Sequence, residues 1–277
     1  MNLTSSAGVM ALSFGLVLNA GAATAQVGCS DGKTLNEGVL TIATSNPAYF
    51  PWVMDNDPAS GKGFEAAVAY EIAARMGFDA ANVAWVASSF DESIQPGLKN
   101  FDFNLQQFSI TPEREQVVDF SIPYYSAAMA VLTRQSAVDA GITADMASLK
   151  GVIWGADAST TALPMLQDLI APTSAPLLYN DNTDVVAAMK ANQVDAALFD
   201  LPTALYLGAV VLDDGVILGQ FPPERSQNPD RFGLLMEKGN ALKSCVDTAI
   251  TAMTSDGTLA ALEAAWLQET TGVPVIK

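Results

Sequence analysis

Apolar and polar positions alternate along the chain between a period typical of buried strands and one typical of amphipathic helices. Val39–Ser45 is a short apolar run, as a buried strand is, and Gly63–Met76 carries large apolar residues at four-residue steps, as a helix with one buried face does. We predict strands at Trp85–Ser88 and Asp102–Phe108 and a helix at Asp91–Lys99 between them. This order is typical of an α/β fold in which helices connect parallel strands.

A second series of alternating elements begins near Met129. We predict strands at Val152–Gly155, Pro176–Tyr179, Ala196–Phe199 and Val216–Gln220, and helices at Thr161–Ile170, Thr183–Asn192 and Pro202–Val210. The loop Phe221–Asp230 is followed by a strand-like run at Phe232–Glu237 and two helices that divide at Asp256-Gly257. Two units of this kind predict two lobes.

The N-terminal segment has the pattern of a secretory signal. The first charged residue is Asp31, and the apolar run from Val9 to Leu18 precedes the small-residue site Ala23–Ala25. We predict a signal peptide over residues 1–25, cleaved before Gln26. The apolar run is too short to span a bilayer, so we expect an exported protein without a membrane anchor.

The two cysteines of the chain, Cys29 and Cys245, bear on how the units connect. In an exported protein they predict one disulfide, and the alternative is two unpaired thiols. Pairing would place the C-terminal helices beside the first unit. Lobe one would then be discontinuous, residues 26–128 and 230–277, with lobe two at 129–229.

Two extended crossings would then join the lobes, near Ala127–Val131 and Asn228–Phe232. Two lobes joined by two strands form a hinge, and a hinge encloses a cleft. We therefore expect a ligand site between the lobes.

Charge and composition exclude several classes of function. The net charge of the 277-residue chain is −17, which argues against binding to nucleic acid or to an anionic membrane surface. Histidine is absent, and with it the commonest general base and metal ligand. We expect neither a metal nor a cofactor.

The segment Ser109–Arg114 contains the most informative chemistry. Thr111 can cap a turn, Pro112 fits a first helical position, and Arg114 leaves that turn where an anion would sit. A guanidinium offers two parallel donors to a carboxylate. The alternative is a capped helix with a solvated arginine.

With the segments around it, this motif resembles the polar amino-acid-binding proteins of bacterial ABC importers, the family 3 solute-binding proteins. The matching segments are Ser109–Arg114, Val118–Ser121, Pro123–Tyr125, Gly63–Glu65, Phe90-Asp91, Leu149–Gly151, Ser159–Thr161, Val194–Asp200, Phe232–Leu234 and Asp256–Trp266. The resemblance implies a two-lobed, type II periplasmic-binding fold that spans Gly38 to about Leu267. It also implies a periplasmic monomer with an amino-acid ligand and a membrane permease as partner.

The resemblance further implies a divided ligand site. Arg114 matches the residue that pairs with the ligand α-carboxylate, and Ser109 the residue that assists it. In lobe two the helix start at Ser159, Thr160 and Thr161 would complete the carboxylate site. Asp200 matches the acid that accepts the α-ammonium. Without the resemblance, both lobe-two segments are interpreted as ordinary helix caps.

The expected side-chain pocket departs from the family pattern. The resemblance assigns it to Asn46, Tyr49, Trp52, Phe90, Gln106 and Gln107. Asn46 stands where members that bind cationic amino acids have an acid, and the two glutamines stand where many members have small residues. A polar uncharged side chain or a small zwitterion is favoured. For each aromatic residue, core packing is the alternative.

The resulting hypothesis is a protein that captures an amino acid by hinge closure and delivers it to a permease. One alternative is a periplasmic enzyme on the same fold, similar to cyclohexadienyl or arogenate dehydratases. No paired carboxylates at suggestive spacing support it, and Glu65 is interpreted as structural. The other alternative is a subunit that presents its ligand to a sensor.

Overall fold

The protein folds into twelve strands and nine α-helices within the part of the chain that the computed structural model describes, residues 28–226, 229–267 and 272–277. The predicted signal peptide, residues 1–25, lies outside the described residues. The strands are β1 Leu40–Thr44, β2 Val83–Ala87, β3 Phe103–Asn104, β4 Val118–Phe120, β5 Tyr125–Ala127, β6 Met129–Arg134, β7 Trp154–Asp157, β8 Leu177–Tyr179, β9 Ala196–Asp200, β10 Gly215–Phe221, β11 Asp230–Phe232 and β12 Leu235–Glu237. The helices are α1 Phe64–Arg75, α2 Phe90–Ile94, α3 Gln135–Asp139, α4 Met146–Lys150, α5 Ala162–Leu169, α6 Asn182–Lys190, α7 Leu201–Tyr206, α8 Lys243–Ser255 and α9 Thr258–Trp266.

The strands form two five-stranded sheets, one in each lobe, and a two-stranded ribbon between them. The first sheet has the order β2-β1-β3-β12-β4, and the second has the order β10-β6-β9-β7-β8. β1 runs parallel to β2 and β3, and β7 runs parallel to β8 and β9, whereas β12 and β6 are antiparallel to their neighbours. The predicted α/β fold with two lobes is confirmed.

Each lobe has its own apolar core. In the first lobe, Phe64 and Ile72 of α1 pack with Phe103 and with Ile250 of α8. In the second lobe, Trp154 of β7 packs against one face of the sheet with α5, and α6 and α7 cover the other face. The two lobes therefore have separate cores.

The ribbon of β5 and β11 joins the lobes. Asp230 of β11 pairs with Ala127, the last residue of β5. Two residues after Ala127 the chain enters β6 at Met129, which pairs with Asp200 of β9. Residues 227–228 of the second predicted crossing lie outside the described residues. The ribbon brings residues from both lobes to the floor of the cleft.

The start of α1 depends on a close backbone approach. Gly63 has φ +103°, and a Cβ at this position would lie 2.5 Å from the carbonyl oxygen of Trp52. That same oxygen accepts hydrogen bonds from the backbone amides of Glu65 and Ala66. A glycine is required here, and the contact seats Glu65 in the interior, where it is 1% exposed.

Cys29 and Cys245 form the predicted disulfide, with their Cα atoms 5.9 Å apart. It fixes the N-terminal segment to α8, and α8 packs on α1 in the first lobe. Among the described residues, no helix has both the length and the apolar character that crossing a bilayer requires.

The last residues of the chain correct one expectation. The expected first lobe includes residues 272–277, but Val275 forms a bridge with Gln220 of β10, and Ile276 is buried in the core of the second lobe. The approach is close because Gly219 has no side chain: a Cβ there would lie 2.7 Å from Ile276. Burial of Ile276 stabilises this arrangement.

The strand-like run at Phe232–Glu237 is also divided. It forms two strands, β11 and β12, which belong to the ribbon and to the first sheet respectively. The break falls at Gly233, where a Cβ would lie 2.8 Å from the side chain of Ile110. The predicted strand Asp102–Phe108 is likewise shorter, because only Phe103 and Asn104 pair as β3.

Candidate functional site

A cavity of about 340 Å³ lies between the lobes. This volume is within the range of small-molecule sites in proteins. Nine of the residues proposed from the sequence line it: Asn46, Tyr49, Phe90, Gln106, Gln107, Ser109, Thr160, Thr161 and Asp200. Arg114, Ser159 and Trp52 are not among the lining residues. Arg114 nevertheless bonds to the carbonyls of Ser159 and of the lining residue Ser109.

Arg114 connects the lobes at one end of the cavity. It begins a short helical turn, and its backbone amide donates to the hydroxyl of Thr111 at 3.2 Å. Nη1 donates to the carbonyl of Ser109 and Nη2 donates to the carbonyl of Ser159, each at 2.8 Å. The guanidinium carbon lies 5.2 Å from the centre of the Phe90 ring. The arginine is therefore positioned by contacts on both sides of the cleft.

The electrostatic surroundings of Arg114 are mainly acidic. Burial lowers the pKa of Arg114, and the nearby carboxylates of Asp230, Asp157 and Glu113 oppose that shift. A guanidinium stays charged under such conditions. Two of its five N–H groups are used by the two carbonyls, so donors remain for an anion.

The loop before α5 faces Arg114 from the second lobe. The Ser159 amide and hydroxyl both donate to Asp157, at 2.9 and 2.8 Å, and the Thr160 hydroxyl donates to the Asp157 carbonyl. Thr161 makes no capping bond, and its hydroxyl instead lies 3.1 Å from that of Ser109 in the first lobe. The loop combines local capping with a contact across the cleft.

Asp200 both caps a helix and lines the cavity. It ends β9, and its Oδ1 accepts the backbone amide of Thr203 at 2.9 Å at the start of α7. The pKa of Asp200 is raised to about 7, mainly by burial and in smaller part by the neighbouring carboxylate of Asp230, against the opposing effect of the hydrogen bonds from Thr203. The capping interpretation and the cavity position are thus compatible.

Asp230 is a cavity residue that sequence reasoning missed. It is 5% exposed, and its Oδ1 has no hydrogen-bond partner among the described residues. Burial raises the pKa of Asp230 to about 6, against the opposing effects of the Ser109 hydroxyl and the Arg114 guanidinium. Its position in the predicted second crossing was the one available signal.

Aromatic rings and amides form a further part of the cavity lining. Asn46 accepts a hydrogen bond from Asn56 at 3.0 Å. The hydroxyl of Tyr49 lies 3.3 Å from that of Thr183 in the second lobe. The Phe90 ring stacks on Phe108, with centroids 4.7 Å apart. Further lining residues that the sequence did not single out are Glu92, Asp157, Asp181 and Thr203.

Trp52 does not line the cavity. Its side chain is 0% exposed and packs against Phe64, Tyr125 and Phe232. Its Nε1 donates to the hydroxyl of Thr203 at 2.8 Å, which links the first lobe to the second. Core packing, the alternative considered for each aromatic residue, describes this tryptophan.

Gln107 is held in an unusual conformation by Glu65. Its backbone φ is +51°, in the left-handed region that residues other than glycine rarely adopt. Its backbone amide donates to Glu65 at 2.8 Å, and its side-chain amide and the hydroxyl of Tyr124 donate to the same carboxyl group. Burial raises the pKa of Glu65 to about 7. Glu65 thus positions the loop that precedes Ser109.

The chain belongs to the bacterial extracellular solute-binding proteins, family 3, whose sequence pattern matches residues 40–269. The L-cystine-binding protein TcyJ of Escherichia coli is 28% identical over 240 residues, which cover 84% of each chain. A probable histidine-binding protein of Campylobacter jejuni is 30% identical over 64% of this chain and 69% of its own. The resemblance stated from the sequence is confirmed.

Solved structures agree with this assignment. An ancestral arginine-binding protein bound to arginine superposes with a TM-score of 0.65 at 25% identity, over 83% of this chain and 98% of its own. A periplasmic binding protein of Salmonella typhimurium with high arginine specificity gives a TM-score of 0.63 at 26% identity, over 82% and 98%. These relatives are amino-acid-binding proteins.

Proposed function

We propose that this protein captures an amino acid between its lobes and delivers it to the permease of an ABC importer. The observation that carries the proposal is the placement of Arg114 and Asp200, a cation and an acid from different lobes, beside one cavity. A zwitterion presents the complementary charges. Relatives named for binding cystine, histidine and arginine support the ligand class.

The α-carboxylate would lie at the Arg114 end. The guanidinium has free donors beyond those given to the two carbonyls, and the hydroxyls of Ser109 and Thr161 lie beside it. The α-ammonium would lie against Asp200, whose carboxylate still has acceptor capacity beyond the Thr203 amide. The α-carboxylate would thus contact mainly the first lobe, and the α-ammonium mainly the second.

The ligand side chain would lie among Asn46, Tyr49, Phe90, Gln106 and Gln107. Amides supply both donors and acceptors, and the rings supply apolar walls. A polar uncharged side chain or a small zwitterion suits this lining, because its polar atoms would find partners in the amides.

Ligand binding would be coupled to closure of the cleft. Contacts from Thr161 and Asp200 reach a ligand on the first lobe only when the lobes are together. A ligand shifts an equilibrium between open and closed forms by its difference in affinity for the two. The second lobe supplies that difference, so the ligand would favour the closed form that a permease recognises.

The role would be that of a monomeric periplasmic binding protein without catalytic activity, exported through the predicted signal peptide. No cofactor is required for capture. Among the described residues, no group of three or more carboxylates and cysteines could hold a metal ion.

Isothermal titration of residues 26–277 against the twenty amino acids and glycine betaine tests the proposal. We expect saturable binding of at least one α-amino acid with one site per chain. Absence of binding for every amino acid would exclude the ligand class. A scan of the same panel by thermal unfolding gives an independent readout, because a ligand raises the unfolding temperature of the form it binds.

A further inference from the structure

We infer that Asp230 is a second ammonium-binding carboxylate, so that Asp200 and Asp230 hold the ligand ammonium between them. This inference rests on the proposed function and makes it more specific: the site would select a ligand with a protonated amine that carries at least two N–H groups. Ligands without an amine, or with a quaternary one, would be rejected.

The backbone places the two acids close to each other from different elements. Asp230 pairs with Ala127 in the ribbon, and Asp200 pairs with Met129, two residues further along the same crossing chain. Both side chains line the cavity. One ligand group on the floor of the cleft can therefore meet a carboxylate of the second lobe and one of the ribbon.

The hydrogen-bonding state of Asp230 indicates a missing donor. Its side chain is more than nine-tenths buried, and its Oδ1 has no partner among the described residues. Buried acceptors in folded proteins are nearly always paired, and an unpaired carboxylate oxygen is costly. Because this residue lines the cavity, a ligand N–H can supply the donor.

The position of Asp230 relative to Arg114 supports the same assignment. Arg114 and Asp230 interact electrostatically, yet they form no ion pair within 4.0 Å in the described part of the chain. A carboxylate near the arginine weakens its attraction for a ligand carboxylate. The ammonium of an amino acid is attracted to Asp230 and offsets the repulsion between Asp230 and the ligand carboxylate. A simple organic anion has no such group.

The experiment combines a change in the protein with a change in the ligand. Affinities of the wild type and Asp230→Asn are measured for L-arginine, L-histidine and L-glutamine, and for guanidinovalerate, imidazolepropionate and glutaramate, which lack the α-amine. Asp213→Asn serves as the control, since Asp213 is an exposed acid outside the cavity lining.

We expect Asp230→Asn to weaken the amino acid that the wild type binds best by about 10- to 100-fold, the effect of a charged hydrogen bond. The matching analogue without the amine should bind the variant as well as the wild type, or better. Equal affinities of wild type and variant for the amino acid would overturn the inference. Equal weakening of amino acid and analogue would do so too, because it indicates a structural role.

Derivatives of the best ligand test the wild type alone, should Asp230→Asn not fold. Affinity should fall steeply between the N-methyl and N,N-dimethyl forms, since two carboxylates need two N–H donors. A dimethyl derivative that binds as tightly as the parent would overturn the inference while leaving amino-acid binding intact. If no amino acid binds the wild type, both the proposed function and this inference fail.

Discussion

Two groups of polar residues at the cavity, an arginine group and an acid pair, differ in how fully their polar atoms are already paired. In the arginine group, formed by Arg114, Ser109 and Thr161, the guanidinium bonds to carbonyls of both lobes, and the two hydroxyls meet across the cleft. In the acid pair, Asp200 is half-buried and Asp230 is buried, with its Oδ1 unpaired among the described residues. The arginine group links the lobes without a ligand, whereas the acid pair, as inferred above, would take its missing partner from the ligand.

Under the proposed function, this difference would separate closure from recognition. Contacts of the arginine group would stabilise the closed form with any ligand. Two ionised acids close to each other repel, so they would disfavour the closed form until a cation lies between them. The acid pair would therefore decide which molecules can complete closure.

Removal of the Arg114 side chain should have the largest effect on ligand affinity. Arg114→Ala removes both the guanidinium N–H groups that would bind the ligand carboxylate and the hydrogen bond to the Ser159 carbonyl. We therefore expect affinity for the best amino acid to fall at least about 100-fold. Titration calorimetry measures the loss. Arg231→Ala, an exposed arginine on β11, is the control and should bind normally. Normal binding by Arg114→Ala would exclude the carboxylate assignment.

Asp200→Asn removes one charge of the acid pair and preserves the helix cap. Asparagine caps helices as well as aspartate, so the unfolding temperature should change little, while affinity falls about 10- to 100-fold with the lost charge. Asp145→Asn, at the exposed cap of α4, should change neither quantity. A variant that loses stability but not affinity would assign Asp200 to the cap alone.

The unfolding temperature and the ligand affinity should depend on pH in opposite directions, because a bound ammonium changes the protonation of Asp200 and Asp230. The raised pKa values of Glu65, Asp200 and Asp230, about 7, 7 and 6, mean that the folded protein holds protons which the unfolded chain has released. Their contribution to stability is full below the unfolded pKa near 4 and is lost as pH rises through 6 to 7. The unfolding temperature of the empty protein should therefore fall by several degrees between pH 5.5 and 8.

A bound ammonium reverses part of this effect, because it favours the charged carboxylates. Affinity for the amino acid should fall about 30- to 100-fold as pH drops from 8 to 5.5. Other charged or titratable groups near these acids are Arg114, Tyr124 and Tyr125. Calorimetry at both pH values, with Asp230→Asn in parallel, checks the result; affinity independent of pH would contradict it.

Tyr49→Phe gives the smallest expected effect. It removes only the contact of 3.3 Å between the Tyr49 hydroxyl and Thr183, at the outer part of the cleft. One exposed hydrogen bond contributes weakly to closure, so affinity should fall about two- to threefold, mainly through faster release. Stopped-flow dissociation measures the change. A loss above tenfold would indicate that the Tyr49 hydroxyl bonds to the ligand itself.

The fold was predictable because strong local signals agreed. Apolar periodicity identified β1, α1 and most of the second lobe, and the cysteines indicated how the C-terminal helices return. The division of Phe232–Glu237 was not predictable, since an apolar run carries no mark of the close contact between Gly233 and Ile110. Local pattern specifies elements, whereas tertiary contacts decide where they break.

The candidate site was predictable where a motif exists and not elsewhere. Ser109, Thr161 and Asp200 reach the cavity as the resemblance implied. Trp52 follows Tyr49 closely in sequence, but its ring turns into the core, which spacing alone does not reveal. Asp230 looked like one polar residue of a loop, because its importance comes from burial beside Asp200 and Arg114.

The two described ends of the chain belong to different bodies. Cys29 is fixed by its disulfide to α8 in the first lobe, whereas Val275 and Ile276 are attached to the second sheet. Fluorophores placed near residues 28 and 277 would therefore move with separate lobes. Energy transfer between them should report cleft motion directly, which makes this chain a natural starting point for an optical sensor of its own ligand.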